Sequence, residues 1–303
     1  MYYKKLSLLV YFTFILNIHF AAGQEDLLDE LDNTVKNDQN TSSNFELPAF
    51  KTLKIGNLQS TKVADKGDLF LIVSHRFGPL KDGLDTFLGL DLANTKIELL
   101  YTFFDGLQFS ISRESFEKTV AFASKLRLER QSSSFPLNLT AYGTININTE
   151  LNNGRFSNYR LKDEDRFSYA LQLLASRRFS KNFSLEIAPT YVRENLQILE
   201  ETFEANHNQF ALGIGGRLKL SKRISFNAEY VHNFNRHENS IYYNPYTFGV
   251  DIETGGHVFQ LHFSNSRGMM DRSFISETFG NFFDGDIHFG FNISRTFNTG
   301  KNK

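Results

Sequence analysis

Between Asn206 and His237 the chain alternates apolar and polar residues twice, with a very short connection between the two runs. In the first run Phe210, Leu212, Ile214, Gly216, Leu218 and Leu220 share one face, and Ala211, Gly213, Gly215, Arg217 and Lys219 share the other. In the second, Ile224, Phe226, Ala228, Tyr230 and Phe234 alternate with Ser225, Asn227, Glu229 and Asn233. A period of two belongs to a β-strand, whose successive side chains point to opposite sides. The stretch therefore predicts a hairpin with one apolar and one polar or small face, looped at Ser221, Lys222 and Arg223, with Leu220 opposite Ile224. Strands of soluble domains average about five or six residues, whereas a tilted membrane strand needs about nine to eleven. These runs have the longer length.

The pattern repeats along the chain. From Asp68 onward about twelve long alternating strands are expected, near 68–77, 95–104, 106–114, 118–131, 136–149, 165–179, 182–195, 207–220, 223–236, 246–253, 256–265 and 284–297. Their connections are of two kinds. Short ones fall at Phe104-Asp105-Gly106, at 132–134, at Ser180-Lys181-Asn182, at Ser221-Lys222-Arg223 and at Thr254-Gly255. Long polar ones span 78–94, 150–164, 196–206, 237–245 and 266–283. Gly106 and Asn182 fit the last, left-handed position of a three-residue hairpin loop; Arg223 does not fit that chemistry. Short turns alternating with long loops are the distribution of an outer-membrane barrel, with the turns in the periplasm and the loops outside. An even number of strands returns both ends to the periplasm.

The two faces have the matching chemistry. Ile97, Leu99, Tyr101 and Phe103, then Phe167, Tyr169, Leu171 and Leu173, then Phe259, Leu261 and Phe263 suit lipid, while Ser168, Gln172, Gln260, His262 and Ser264 face the other way. Closure is required, because an open edge in hydrocarbon leaves backbone groups unpaired at several kcal/mol each. The fold class expected is therefore all-β: a transmembrane, antiparallel up-and-down β-barrel of about twelve strands, bounded by outer-membrane lipid. A soluble sandwich or lipocalin-like barrel would turn its apolar face inward and gives no reason for the alternation of turns and loops.

Residues 1–23 read as a secretory signal: Lys4 and Lys5 begin it, Leu6 to Phe20 form an apolar core, and Ala21-Ala22-Gly23 supplies small residues for cleavage. Residues 24–48 are acidic and polar, with Glu25, Asp26, Asp29, Glu30 and Asp32, and read as a flexible periplasmic tail. A sharper alternative makes this tail a gate on the barrel mouth, or the docking peptide of a periplasmic partner. Residues 49–66 would make the strand number odd if added to the wall, so they are expected to be a periplasmic or lumenal lead-in to a barrel spanning 67–303.

Composition narrows the function classes. The chain holds 32 Phe and 12 Tyr but no Trp, and no Cys, so disulfides and thiolate metal sites are excluded. With 33 Lys+Arg against 34 Asp+Glu it lacks the basic excess of a nucleic-acid binder. No nucleotide-binding glycine loop and no local catalytic signature appears. Ser74 and His75 are neighbours on a strand and so face opposite sides, which argues against a hydrolytic pair. No enzyme activity and no cofactor are expected.

Residues 67–297 resemble a Bacteroidetes family of outer-membrane β-barrels of unknown function. The resemblance is carried by Gly67-Asp68-Leu69, Ser74-His75-Arg76-Phe77-Gly78, Gly89-Leu90-Asp91 and Phe289-Gly290-Phe291-Asn292-Ile293. It implies an outer-membrane location and supplies no site. The last strand, Ile287 to Phe297, resembles the aromatic-ended strand that the barrel-assembly machinery recognises, although Arg295 interrupts its apolar face and six residues follow Phe297.

The candidate site is the lumen. By parity Lys125, Arg127, Glu129, Glu186, Arg217, Lys219 and Glu229 point inward near the short turns, and His262 and His288 point inward on consecutive strands. Either the charges pair across the lumen and fill it, or they line a narrow path for small solutes. Gly213, Gly215, Ala121 and Ala123 are expected to leave space for that path. The histidines show no convergent spacing for a metal. The loop 266–283, with Met269, Met270, Phe274, Phe279, Phe282 and Phe283, either folds over the mouth or offers a binding surface, and Tyr242, Tyr243 and Tyr246 are placed to join it. The leading function is a narrow channel for small solutes; the alternative is a non-conducting barrel that anchors partners through its loops or tail.

Overall fold

The computed structural model describes residues 48–152, 160–196, 207–236, 240–254 and 256–299. The signal sequence expected at 1–23, and the tail at 24–48 except for its last residue, lie outside the described residues.

Twelve strands close into a barrel. They are β1 (Asp68–Pro79), β2 (Ala93–Phe104), β3 (Leu107–Glu114), β4 (Val120–Glu129), β5 (Asn138–Ile147), β6 (Phe167–Arg178), β7 (Phe183–Glu194), β8 (Asn208–Lys219), β9 (Ile224–Asn233), β10 (Tyr246–Thr254), β11 (His257–Ser264) and β12 (His288–Asn298). Each is antiparallel to its neighbours in sequence, and β1 closes on β12 from Asp68 opposite Asn298 to Arg76 opposite Gly290. Strand pairing thus runs right round the wall with no open edge, as hydrocarbon demands. The closure gives the molecule a turn end, where β1 begins and β12 finishes, and a loop end opposite. The loop from Asn265 to Ile287 also carries a short helix, α1 (Asp271–Ser276), which strand periodicity does not reveal.

Parity runs as the alternation predicts. On β6 Phe167, Leu171 and Leu173 face out and Ser168, Gln172 and Ser176 are buried inside; Leu171 is 57% exposed to the surroundings. Arg76, Lys125, Glu114 and Glu186 are among the most buried side chains, the reverse of a water-soluble protein. The soluble alternative is therefore excluded: this outer face needs lipid.

Two turns correct the expected chemistry. Gly106 is left-handed, at φ 81, but Asn182 is not. Instead the Ser180 hydroxyl accepts from the N–H of Asn182 and of Phe183, at 3.2 and 3.0 Å. Ser221 does the same for Arg223 and Ile224, at 3.3 and 3.1 Å. In both turns the carbonyl at the fourth position after the first residue, Phe183 or Ile224, accepts two backbone N–H groups. The turn is set by a serine that caps it, so neither Asn182 nor Arg223 needs a left-handed backbone. The expected strand at 118–131 also begins late. Glu117 and Lys118 adopt φ 52 and 47 in a tight turn, held by Asn94 Oδ1, which accepts from Ser115 Oγ and Phe116 N.

Candidate functional site: a lumen closed from both ends

Residues 48–66 run inside the barrel as a strap. Its centre is a miniature hairpin: Ile55 N donates to Leu58 O at 2.8 Å, Ser60 N to Leu53 O at 3.0 Å, and Lys54 pairs with Gln59. Gly56 and Asn57 form the tip. A tight turn leaves N–H and C=O groups without local partners, and burial makes each of them costly unless the wall supplies one.

The wall does so. Glu229 on β9 accepts from Asn57 N at 2.7 Å and Leu58 N at 3.0 Å, one donor per carboxylate oxygen. Gln260 donates to Lys54 O and Ile55 O, and Asn292 to Gly56 O, all within 3.1 Å. The Asn57 side chain accepts from Arg76 at 2.8 Å and donates to Thr247 at 3.1 Å. Nearer the turn end, Lys125 Nζ donates to Leu53 O, Ser60 O and Lys62 O at 3.0–3.4 Å. Glu186 accepts from Thr61 N at 2.8 Å. The lumen charges therefore do not simply neutralise one another; Lys125, Glu186 and Glu229 grip the backbone of the strap.

The expected space is also taken. A Cβ on Gly215 would sit 2.4 Å from Ile55 Cδ1, and one on Gly213 would sit 2.9 Å from Leu58 Cδ2. These two β8 glycines are seats for the strap's apolar side chains, not part of an open path. Ala121 is buried, and Ala123 packs on Tyr142, Leu174 and Ala188.

The remaining inward candidates ring the turn-end mouth. Arg217 is buried and bridges Ser225 at 2.7 Å and Glu253 at 3.3 Å; Glu253 also pairs with Lys51 of the strap. Arg127 reaches Asp105 at 3.2 Å. Lys219 is half-buried and Glu129 is exposed. Arg127, Glu129 and Lys62 line a cavity of about 400 Å³ at this mouth. Deeper in, two voids of about 10 Å³ each flank the strap, room for one water apiece.

The histidines stay apart. His262 is buried and, among the described residues, has no hydrogen-bond partner at either ring nitrogen, whereas His288 Nδ1 lies 2.8 Å from Phe77 O. Among the described residues no group of three His, Cys, Asp or Glu is placed to hold a metal. Ser74 is buried inside while His75 faces out, stacked on Phe291 at 5.3 Å.

From the loop end, α1 descends into the lumen with all six residues buried. Glu114 accepts from Met269 N at 2.8 Å and Met270 N at 3.1 Å, the same two-donor grip that Glu229 applies to the strap. Asp271 accepts from Tyr142 at 2.8 Å and Gln172 at 3.2 Å. Arg272 is enclosed by Glu277 at 2.5 Å, Glu194 at 3.6 Å and Glu117. Despite its burial those carboxylates hold the guanidinium above its usual range. Burial pushes the Glu277 carboxyl up to about 8; Arg272 opposes the shift and Glu194 adds to it. The loop 266–283 is thus divided: Met269, Met270 and Phe274 are buried, and Phe279 and Phe283 are exposed. Strap and helix meet where Leu58 packs with Phe274 and Ile275 against Ala170, Val192, Ala211 and Val231.

Arg76, Glu114, Asp271 and Arg272 were not singled out from the sequence. Inward parity would have identified Arg76 and Glu114. Asp271 and Arg272 sit on a loop without periodicity, and nothing local marks them.

Residues 50–297 match the model of a family described as a membrane bound beta barrel domain (DUF5777). No curated protein matches the sequence. Among solved structures, a NanC porin is 8% identical with TM-score 0.48, covering 75% of this chain and 98% of its own. An outer membrane channel from Pseudomonas putida is 11% identical with TM-score 0.48, covering 78% and 97%. The outer membrane protein Omp33 of Acinetobacter baumannii is 10% identical with TM-score 0.42, covering 77% and 99%.

Proposed function

The chain belongs to the membrane bound beta barrel domain family, and we propose that it is an outer-membrane channel for small solutes that its own strap holds closed. One observation carries this reading: the wall behind the strap is polar, and the strap is held largely by hydrogen bonds that water can replace. Thr140, Ser176, Gln108, Gln260, Asn292, Glu186 and Glu229 line that wall. A barrel filled only for stability is better served by apolar packing, since an unmatched polar group inside costs about 1–3 kcal/mol. With the strap withdrawn, the same side chains face water and suit polar solutes. The tail that precedes the strap gives a periplasmic partner a handle for withdrawal. Activity as an enzyme forms no part of this reading.

The filled lumen favours a second reading, a non-conducting barrel that anchors partners. Single-channel recording separates the two. The full chain is expected to show rare or small openings, and a chain lacking residues 24–66 a steady, larger conductance. A barrel that inserts without residues 24–66 and still conducts nothing would leave the anchoring role in place of the channel.

A further inference from the structure

The chain that fills the loop end of the lumen does not stay inside. After α1 it crosses the barrel rim, and Phe282 and Phe283 come down on the outer wall. The Phe282 ring lies 5.4 Å from that of Tyr246 and 5.8 Å from that of Phe248; Phe283 lies 5.5 Å from Tyr246. Tyr246 and Phe248 have outward parity on β10, since Thr247 between them points into the lumen and bonds Ser264 at 3.0 Å. The crossing is a built turn. Asn281 Oδ1 accepts from Phe283 N at 3.1 Å, Asn281 Nδ2 donates to Asp284 at 2.7 Å, and Gly285 closes the turn at φ 79. An ion pair between Lys81 and Asp286 ties it to the neighbouring loop.

Phe283 remains 78% exposed. The surface beside it is continuous with the lipid-facing wall: Phe289 stacks with Phe77 at 5.8 Å and lies tilted against Phe263 at 5.5 Å. Aromatic rings at the end of a membrane barrel belong at the boundary of headgroups and acyl chains. We propose that residues 265–287 form a clip over the rim, with α1 in the lumen and Phe282 and Phe283 seated in the surrounding lipid leaflet, so that lipid contact holds the helix inside. Water around Phe283 would disfavour the outer arm of the clip, whereas lipid removes that cost and fixes the turn from which α1 hangs. This inference rests on the membrane barrel and is independent of conduction.

A chain without Trp or Cys allows clean probes. Phe283→Trp is placed in phosphatidylcholine vesicles whose acyl chains carry bromine, with Leu171→Trp on the outer face of β6 as the reference for full quenching. Phe283→Trp is expected to lose at least half as much emission as the reference. Emission indifferent to bromolipid overturns the proposal, whether aqueous iodide reaches the ring or a second copy of the chain shields it. Holding of the helix is read with Ser273→Cys and a water-soluble maleimide. Labelling is expected to be slow, to rise at least tenfold when Phe282 and Phe283 are both changed to Ser, and to stay slow when both are changed to Leu. Equal rates in the Ser and Leu backgrounds overturn it.

Discussion

The strap and the β11–β12 loop occupy the same lumen but are held by different means. The strap is gripped through its backbone: Lys125, Gln260, Asn292, Glu186 and Glu229 bond its carbonyl and N–H groups. The loop uses that device too, at Glu114, Asn94 and Arg236, and adds a buried ion cluster around Arg272; the strap's buried ion pair is the longer one of Lys54 with Glu98, at 3.7 Å. Backbone hydrogen bonds can be exchanged for water one at a time, each at a net cost of about 1 kcal/mol. A buried cluster of one cation and three carboxyl groups has to be rehydrated together. The loop is also tied to the wall at both ends, while among the described residues the strap enters the wall at β1. The closed channel proposed above needs the strap to be released more easily than the loop, and that contrast can be tested.

Arg272→Ala should have the largest effect. It leaves Glu117, Glu194 and Glu277 buried without their cation, at about 3–5 kcal/mol. Proteolysis is expected to cut 265–287 rapidly while conductance stays low, because the strap is still seated; a rise in conductance to the level of strap removal would break the comparison. Glu229→Ala comes next. It strands the N–H groups of Asn57 and Leu58, each worth about 1–3 kcal/mol, so open probability should rise at least tenfold in bilayer recordings. Glu186→Ala strands one such group, at Thr61, and should do less.

Gly215→Leu forces side-chain atoms into the position of Ile55, and overpacking of this kind costs about 1–3 kcal/mol. The strap is expected to be displaced more often than in Gly216→Leu, whose neighbours leave room. Equal conductance from the two variants would show that the glycines do not seat the strap.

The loop should respond to pH through Glu277, whose carboxyl is raised to about 8 in the folded chain. The folded state binds the proton more tightly than the unfolded one. The stabilisation is fully present below the ordinary carboxylate range and is lost as pH climbs to about 8. Labelling of Ser273→Cys, divided by that of a free thiol at each pH, should increase between pH 6 and 9, and Glu277→Gln should flatten the profile. The smallest effect concerns the turns. Ser180→Ala and Ser221→Ala should each lower stability by about 0.5–1 kcal/mol in urea unfolding, with Asn182→Ala and Arg223→Ala near zero.

The barrel was legible because lipid imposes a simple rule on every strand. Leu171 must face out and Gln172 in whatever surrounds them, so period-two alternation reports twelve strands and their parity directly. Turn chemistry was half legible: Gly106 needs its left-handed backbone, but the serine caps at 180 and 221 were hidden behind the more familiar signal of Asn at the loop's last position. The site was least legible. Parity pointed Lys125, Glu186 and Glu229 inward, yet their partners lie 63 to 172 residues away in the chain, and no local pattern encodes such a distance.

Local alternation, then, settles which side chains meet lipid and which face the lumen, because each strand obeys the pleat independently. What fills the lumen is decided only when the cylinder closes. Closure brings Gly215 under Ile55, Glu229 under the tip at Gly56 and Asn57, and Arg272 among three carboxyl groups from the β3–β4 turn, the end of β7 and its own loop. A glycine reads as space until something occupies it, and a buried carboxylate reads as half of an ion pair until two backbone N–H groups are found on it.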